Sequence, residues 1–463
     1  MNHPLHSEHS ALRIPRSAFL RSGFGYLAFL AMAHERALAE ANPLAPKVPP
    51  LPARAKRVIF LSMQGAPSHV DTFDFKPKLS ADDGKAGKYG GGKLMGSPWK
   101  FSAHGQSGLQ ISELFPSVAK HADDLCLLRG MHTDFPNHPQ AQVAMHTGNS
   151  QFVRPSLGAW TLYGLGTENA DLPGFVALNA PAGAAQNFGS AFLPAIYQAT
   201  RIGGDNRFRR PGRGDATPKI PNIDNPRLDR DLQRIQLDLV QSLNRDKLQR
   251  DVHQPEVEGV IESFELAFRM QDKLPQVMDI SAESAQTLDL YGVNGTETGN
   301  FGRQCLVARR LIESGVRFVE LTHGNWDHHR NIDEDLPARC QEIDQPIAGL
   351  LTDLKQRGLL KDTLVIWAGE FGRTPHSQSS GRDHNNKGYT TWMAGGGVKG
   401  GFSYGATDDH GYEAVENKMH THDWHATILH LLGLDHEKLT FRHAGRDFRL
   451  TDVSGVVAKE IVA

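Results

Sequence analysis

Two apolar segments in the second half of the chain, each followed at once by polar residues, constrain the fold most strongly. Residues 316–321 and 365–368 are largely apolar runs of strand length. A helical face lies between them and ends at Gly358, a residue type that commonly closes helices. That face consists of Ile343, Ile347, Leu350, Leu351 and Leu354. Strand, helix and strand in this order predict a βαβ unit, whose parallel strands bind ligands at their carboxyl ends.

The first half of the chain contains the same kind of strand. Residues 57–65, RVIFLSMQG, are mostly apolar without polar alternation, which indicates a strand buried on both faces of a parallel sheet. Residues 125–128 predict another buried strand, 113–121 predict a helix, and a histidine-bearing turn at 132–139 leads into a further helix. A length of 463 residues allows one large α/β domain with insertions or two smaller domains.

A long insertion is predicted at about 201–280. Residues 201–226 are rich in glycine, proline and arginine, which is typical of a surface loop. Apolar residues at helical spacing follow the loop, and a second amphipathic helix is predicted at 256–273. We interpret this region as a lid or helical cap on the domain that spans 57–463.

The amino terminus predicts an export signal over residues 1–39. Basic residues at 16–21 precede a short apolar run at 23–33, and the small residues of a cleavage site follow at 37–39. Arg16 followed by Phe19 and Leu20 resembles a twin-arginine signal in which Ser17 replaces the second arginine. The alternative is a disordered tail. Residues 40–56 are predicted to be a linker, and the mature protein is predicted to be periplasmic or secreted without an integral membrane span.

Charge and cysteine content exclude several classes of protein. A formal net charge of −2 gives no reason to expect a nucleic-acid partner. The chain has 3 cysteines, which lie far apart and argue against a disulfide framework or a thiolate zinc site. Its 23 histidines cluster in a few segments, and histidine is the commonest metal ligand.

Acids and histidines follow four predicted strands and suggest a divalent metal site. Carboxylate and imidazole ligands together suit Zn²⁺, Mn²⁺ or Fe, and carboxylates also suit Mg²⁺ or Ca²⁺. The candidate ligands are Asp71, Asp327, His329, Glu370, Asp383 and His384.

Structural roles remain open for each of these residues. Asp71 can cap a turn, Glu370 can form a buried ion pair with Arg373, and the other candidates can be hydrogen-bonded loop residues.

A set of motifs resembles a known family. These motifs are FLSMQGAPSHVDTFDFKP, NHPQAQVAMHTG, NWDHHRN, GEFGRTP, GRDHN, HDWHATILHLLGLD and GRDFRLTDVSG. From about residue 57 onward the chain is similar to the exported bacterial domain-of-unknown-function family 1501, which is placed in the alkaline phosphatase/sulfatase superfamily. The resemblance implies a three-layer α/β/α sandwich with a mostly parallel central sheet and the ancestry of a metal-dependent hydrolase.

The resemblance also implies roles for single residues. The metal-binding aspartate after the first strand of the superfamily corresponds to Gln64, and Asp71 is the acid that could replace it. The nucleophile position falls on His138, with Thr133 as the nearest hydroxyl. Asp327 and His329 correspond to a ligand pair of the superfamily.

Two functions are consistent with these observations. The first is an exported metal-dependent hydrolase of sulfate or phosphate esters on small molecules or glycans, in which Arg373 or Arg382 binds the anionic group. Water on the metal ion or Thr133 is then the nucleophile. The second is a non-catalytic periplasmic or surface binding protein that keeps the fold, as Gln64 and His138 suggest.

Overall fold

This computed structural model describes residues 43–87, 92–203, 223, 227–250 and 255–463. The predicted export signal at 1–39 and most of the predicted loop at 201–226 lie outside the described residues. Residues 43–56 contain neither helix nor strand, and their backbone bonds to the body of the domain, for example from Arg54 N to Leu431 O at 2.8 Å.

The strands and helices are as follows. The strands are β1 (Arg57–Met63), β2 (Phe101–His104), β3 (Leu109–Ser112), β4 (Leu125–His132), β5 (Phe175–Leu178), β6 (Thr200–Ile202), β7 (Phe318–His323), β8 (Thr363–Ala368), β9 (Gly372–Gln378), β10 (Gly381–Asn385), β11 (Tyr389–Gly395), β12 (Phe402–Tyr404), β13 (Ala406–Thr407), β14 (Ala414–Glu416), β15 (Met419–His420), β16 (Phe441–His443) and β17 (Arg446–Phe448). The α-helices are α1 (His69–Thr72), α2 (Pro77–Ala81), α3 (His138–Thr147), α4 (Leu157–Leu165), α5 (Arg230–Arg250), α6 (Pro255–Met278), α7 (Ala285–Leu290), α8 (Gly299–Glu313), α9 (Ile332–Gln356) and α10 (Thr421–Leu431). Short 3-10 helices occupy Val118–Asp124, Ala185–Phe188, Ala195–Tyr197, Leu360–Asp362 and Lys459–Ile461.

One mostly parallel sheet organises the described residues. Its strand order is β12-β4-β11-β8-β1-β7-β5-β6, with β15 paired to β4. β1 runs parallel to both β7 and β8, whereas β11 runs antiparallel to β8 and to β4. β4 and β8 therefore point the same way, and the carboxyl ends of β4, β8, β1 and β7 lie at one edge of the sheet.

Both faces of the sheet are covered, which gives three layers. Successive side chains of β1 enter two different cores: Ile59 and Leu61 belong to one hydrophobic cluster, and Val58 and Phe60 belong to the other. All four are at most 1% exposed. The continuous apolar run in the sequence reflects this burial on two faces, and the predicted α/β/α sandwich is confirmed.

Two local features complete the fold. The helix predicted at 113–121 is instead a 3-10 helix over Val118–Asp124, because Pro116 lacks an N–H and disfavours helical geometry at the residue before it. The predicted helices of the insertion are present as α5 and α6, and α6 packs on the body through Leu274 and Met278, which are 0% and 3% exposed. No helix in the described ranges combines the length and apolarity needed to cross a membrane.

Candidate metal centre

Four side chains from three segments meet at the edge of the sheet. His138 is the first residue of α3, which begins there because the side chain of Asn137 accepts a hydrogen bond from Gln140 N and so caps the helix. Asp327 and His329 lie in the loop after β7, and β10 supplies His384. Each residue offers one ligand atom, and these four atoms lie within 4.8 Å of one another.

The carboxylate of Asp327 lies at the centre of this group. Its Oδ1 is 3.1 Å from Nε2 of His138, 2.9 Å from Nε2 of His329 and 3.3 Å from Nε2 of His384. The Nε2 atoms of His329 and His384 are 2.9 Å apart. Three imidazole nitrogens and one carboxylate oxygen therefore face a common point.

The outer nitrogen of each ring is bound to an oxygen acceptor. Nδ1 of His138 lies 2.6 Å from Oε1 of Glu370, and Nδ1 of His384 lies 2.8 Å from the carbonyl of Pro136. Nδ1 of His329 is bound to Oε1 of Gln378. An oxygen acceptor fixes the proton of a neutral ring on Nδ1, so all three Nε2 lone pairs point into the group.

These lone pairs fit a divalent cation. Nε2 of His138 is buried and has no hydrogen-bond partner among the described residues, although Asp327 lies close to it. Tetrahedral ligands about 2.0–2.1 Å from Zn²⁺ are separated by roughly 3.3 Å, close to the distances found here. The four side chains are 20% to 45% exposed, so the site is open to solvent as a catalytic site would be.

Glu370 holds the imidazole of His138 from behind and is 1% exposed. Its Oε1 accepts hydrogen bonds from Gln142 Nε2 at 3.1 Å and from Gly65 N at 3.0 Å. Gly65 has a φ of +105°, and a Cβ there would lie 2.7 Å from the backbone nitrogen of Asp327. The turn after β1 therefore packs directly against the loop that carries Asp327, and only glycine fits.

Arg373 also connects the turn after β1 to the loop that carries Asp327. It is 1% exposed and donates to Asp327 Oδ1 at 2.7 Å and to the carbonyl of Ala66 at 3.0 Å. Burial works against ionisation of Asp327, but the guanidinium of Arg373, together with His138, holds the pKa of this carboxyl well below its ordinary value. Asp327 is therefore a carboxylate at neutral pH.

Burial disfavours the charged form of both His384 and His138, but the pKa values of the two rings shift in opposite directions. Burial lowers the pKa of His384. Burial also disfavours the charged form of His138, but Glu370 and Asp327 outweigh it and raise the pKa of this ring. Asp383 lies at the rim, where its side chain is 47% exposed and its Oδ1 is 3.7 Å from Nδ1 of His329.

The structure does not bring every candidate into this group. Asp71 is buried, and both of its oxygens accept from Arg382, at 2.7 and 3.0 Å, so it forms a buried ion pair, whereas the structural alternative considered from the sequence was a turn cap. Thr133 lines a separate pocket of about 200 Å³ together with His420 and His422. Arg382 is 0% exposed, so neither it nor Arg373 reaches solvent to bind an anion.

Several residues of the site carry no signal in the sequence. Gln378 and the carbonyl of Pro136 orient two of the rings, and Gln142 supports Glu370. These contacts depend on how the β9–β10 hairpin folds back over the loop at 133–137, and no motif marks them.

Comparisons with solved structures give distant likenesses. The PsFucS1 sulfatase from Pseudoalteromonas sp. is 14% identical with a TM-score of 0.33, covering 83% of this chain and 69% of that chain. The alkaline phosphatase from the Antarctic bacterium TAB5 is 11% identical with a TM-score of 0.31, covering 79% and 96%. The lipoteichoic acid synthase LtaP from Listeria monocytogenes is 8% identical with a TM-score of 0.37, covering 90% and 80%. Likenesses at this level assign no activity.

The family comparison covers nearly all of the described domain. No curated protein matches the sequence. A family described as "Protein of unknown function (DUF1501)" matches residues 55–462, which is most of the chain. The chain therefore belongs to the DUF1501 family.

Proposed function

We propose that this protein is a metal-dependent hydrolase of phosphate or sulfate esters. The observation that carries the proposal is the convergence of three Nε2 lone pairs and the carboxylate of Asp327 at a point open to solvent. Three neutral imidazoles and one carboxylate favour Zn²⁺, with Mn²⁺ or Fe next, over the Mg²⁺ or Ca²⁺ that all-oxygen sites prefer.

The protein's own groups position the site. His138, His329, His384 and Asp327 would hold the ion, which when bound supplies Lewis acidity that polarises an ester oxygen and lowers the pKa of water. Glu370 keeps the His138 ring oriented, and Arg373 keeps the Asp327 side chain ionised and in place. Asp383 lies on the outer side of the His329 ring, 3.7 Å from Nδ1, so its carboxylate supports the orientation of this imidazole from the side away from the four ligand atoms.

The charge balance favours an anionic substrate. A divalent ion and Arg373 carry three positive charges, whereas Asp327 and Glu370 supply two negative ones, because the three histidine ligands are neutral when bound. Asp383 adds a third negative charge, but its side chain is 47% exposed and lies behind His329, where solvent screens it. The positive charge among the four ligands themselves therefore attracts a phosphate or sulfate group. This attraction replaces the arginine contact predicted from sequence, since Arg373 and Arg382 are buried.

A specific observation also favours a binding protein without turnover. Thr133, the hydroxyl considered as a nucleophile, lines a different pocket from the four-ligand group. The hydrolase proposal therefore depends on water as the nucleophile. We further propose that the protein is exported by the segment at 1–39 and acts on a small-molecule or glycan ester, and a fusion of that segment to a periplasm-dependent reporter tests the export.

Metal analysis followed by a substrate panel tests the function. Purified protein is expected to contain one divalent ion per chain in the four-ligand group, and the variants Asp327→Ala and His329→Ala are expected to lose it. The matched control is His410→Ala, because His410 is a partly buried histidine that pairs with Asp82 away from this site. The loaded protein is then assayed with aryl phosphate mono- and diesters and with aryl sulfates.

The outcomes separate the two functions. Metal-dependent turnover that Asp327→Ala abolishes and His410→Ala retains supports hydrolysis. Bound metal with saturable, unreacted ester supports the binding protein. Wild-type protein that retains no divalent ion after exposure to zinc and manganese would remove the basis of both.

A further inference from the structure

Helix α5 presents a row of apolar side chains to solvent. Leu232, Ile235, Leu239 and Leu243 are 49%, 64%, 63% and 60% exposed. Their spacings of three and four residues place them on one face of the helix. Large apolar side chains scattered singly on a surface need no explanation, but a continuous row indicates a contact surface.

The opposite face of α5 is already occupied. Gln241 donates to the carbonyl of Ile261 at 2.8 Å, and Arg234 pairs with Glu265 at 2.9 Å, so this face packs on α6. Val240, next to Leu239, lines a groove of about 270 Å³ between the two helices, where Phe264 is 45% exposed. The row and the groove together form an apolar surface on the outside of the insertion.

We propose that a second copy of this chain covers this surface, with the two α5 helices antiparallel about a two-fold axis near Leu239. The row combines spacings of three and four residues, as in the packing of four-helix bundles, which keeps two neighbouring helices within about 20° of antiparallel. The two-fold axis places Leu239 against its own copy and Ile235 against Leu243 of the other copy. The same patch thus serves both subunits, as a two-fold interface requires.

The charges beside the row favour the antiparallel orientation. Asp231 and Arg245 are exposed and lie two heptads apart on the same flank. In an antiparallel pair each Asp231 faces an Arg245 of the other copy, whereas a parallel pair would oppose like charges. Asp238, between them near the axis, is neutralised within its own chain by Arg234.

The oligomeric state tests the proposal. We expect sedimentation to show a monomer–dimer equilibrium with a dissociation constant on the order of micromolar, because one short row per chain is a small interface. The double variant Ile235→Asp/Leu239→Asp should weaken association by at least about 100-fold, since each dimer buries four of the new charges. Val415→Asp is the matched control, because Val415 is an exposed valine on β14 and 55% exposed.

Two further experiments test the geometry. The cysteines of the chain are buried, so Leu239→Cys adds an exposed thiol that should form a disulfide-linked dimer, while Val415→Cys should not. Asp231→Lys and Arg245→Glu should each weaken the dimer, and the two together should restore it. A wild-type monomer at about 100 µM, or a dimer unaffected by Ile235→Asp/Leu239→Asp, would overturn the proposal. If the monomeric variant Ile235→Asp/Leu239→Asp melts at a lower temperature than the wild-type monomer, the row is covered by its own chain, which would also overturn the proposal.

Discussion

The hydrogen bond between Glu370 and His138 gives the sharpest test of the metal centre. Glu370 is buried, and its Oε1 lies 2.6 Å from Nδ1 of His138. In the variant Glu370→Gln the amide oxygen can still accept from Nδ1, but the negative charge is lost. The perturbation therefore changes the strength of one contact while the side chain keeps its shape.

The magnitude follows from the type of contact that changes. A hydrogen bond to a charged group contributes about 1.5–3 kcal/mol, and one between neutral groups about 0.5–1.5 kcal/mol. The difference of about 1–1.5 kcal/mol corresponds to roughly five- to tenfold weaker zinc binding in Glu370→Gln. Glu370→Ala also leaves Nδ1 of His138 and the N–H of Gly65 without their acceptor, so its loss is expected to approach about 100-fold.

Competition with a fluorescent chelator at constant pH measures these affinities. Glu342→Gln is the matched control, because Glu342 accepts from Nε2 of His323 at 2.8 Å outside the four-ligand group. Its affinity for zinc should equal that of the wild type. Zinc binding by Glu370→Gln within about twofold of the wild type would refute the inference that Glu370 orients a ligand. An equal loss in Glu342→Gln would point to a general loss of stability.

Three further predictions test the site and its support. Removing the metal with a chelator should lower the melting temperature of the wild type, measured by calorimetry, by a few degrees. The reason is that a ligand at about 100-fold excess over its Kd stabilises the folded state by about 2.7 kcal/mol. The melting temperature of Asp327→Asn should not change on chelation. Arg382→Met should lower the free energy of unfolding in urea by about 3–5 kcal/mol, because it leaves the buried carboxylate of Asp71 without its ion-pair partner. The double variant with Asp71→Asn should recover part of this loss. Burial, together with nearby His422, lowers the pKa of His425 to about 3. Below pH 6.5 the unfolded chain takes up this proton first, so wild-type stability should fall by about 1.4 kcal/mol per pH unit towards pH 3, and His425→Gln should lack this component. An unchanged wild-type melting temperature, a cost under about 1 kcal/mol or an unaltered pH slope would contradict the respective argument.

The sheet could be predicted from sequence because burial on both faces leaves a continuous apolar pattern. β1, β7 and β8 were recognisable in this way, and the polar residues after them marked the edge at which the site forms. The sequence pattern places the short helix near Val118 too early, because tertiary contacts and Pro116 determine where it begins. Asp344 accepts from the backbone N–H groups at its start, and no local pattern shows that contact.

The candidate ligands can be predicted from the sequence as residue types but not as a set. Asp327, His329 and His384 follow predicted strands and are predicted as ligands, whereas the resemblance places His138 at the nucleophile position. What separates these roles is the direction of a ring, which Glu370 fixes from 232 residues away in the chain. Asp71 is a predicted ligand that lies outside the four-ligand group. This acid follows the first strand, but its carboxylate forms an ion pair with Arg382.

The contacts of Glu370 and Arg373 explain why an acid lies at the end of β8. Glu370 reaches the N–H of Gly65 after β1 and the imidazole at the start of α3, while Arg373, three residues later, reaches the carbonyl of Ala66 and Asp327 after β7. The residues after β8 thus connect the segments that follow β1, β4 and β7. Glu370 makes its contacts with a negative charge and Arg373 makes its contacts with a positive charge. The side chains of Glu370 and Arg373 are both 1% exposed, so their hydrogen bonds hold the loops in place and are not available to bind substrate. In the hydrolase we propose, binding of an anionic ester therefore comes from the ion itself, and we expect metal content and turnover to disappear together in Asp327→Ala.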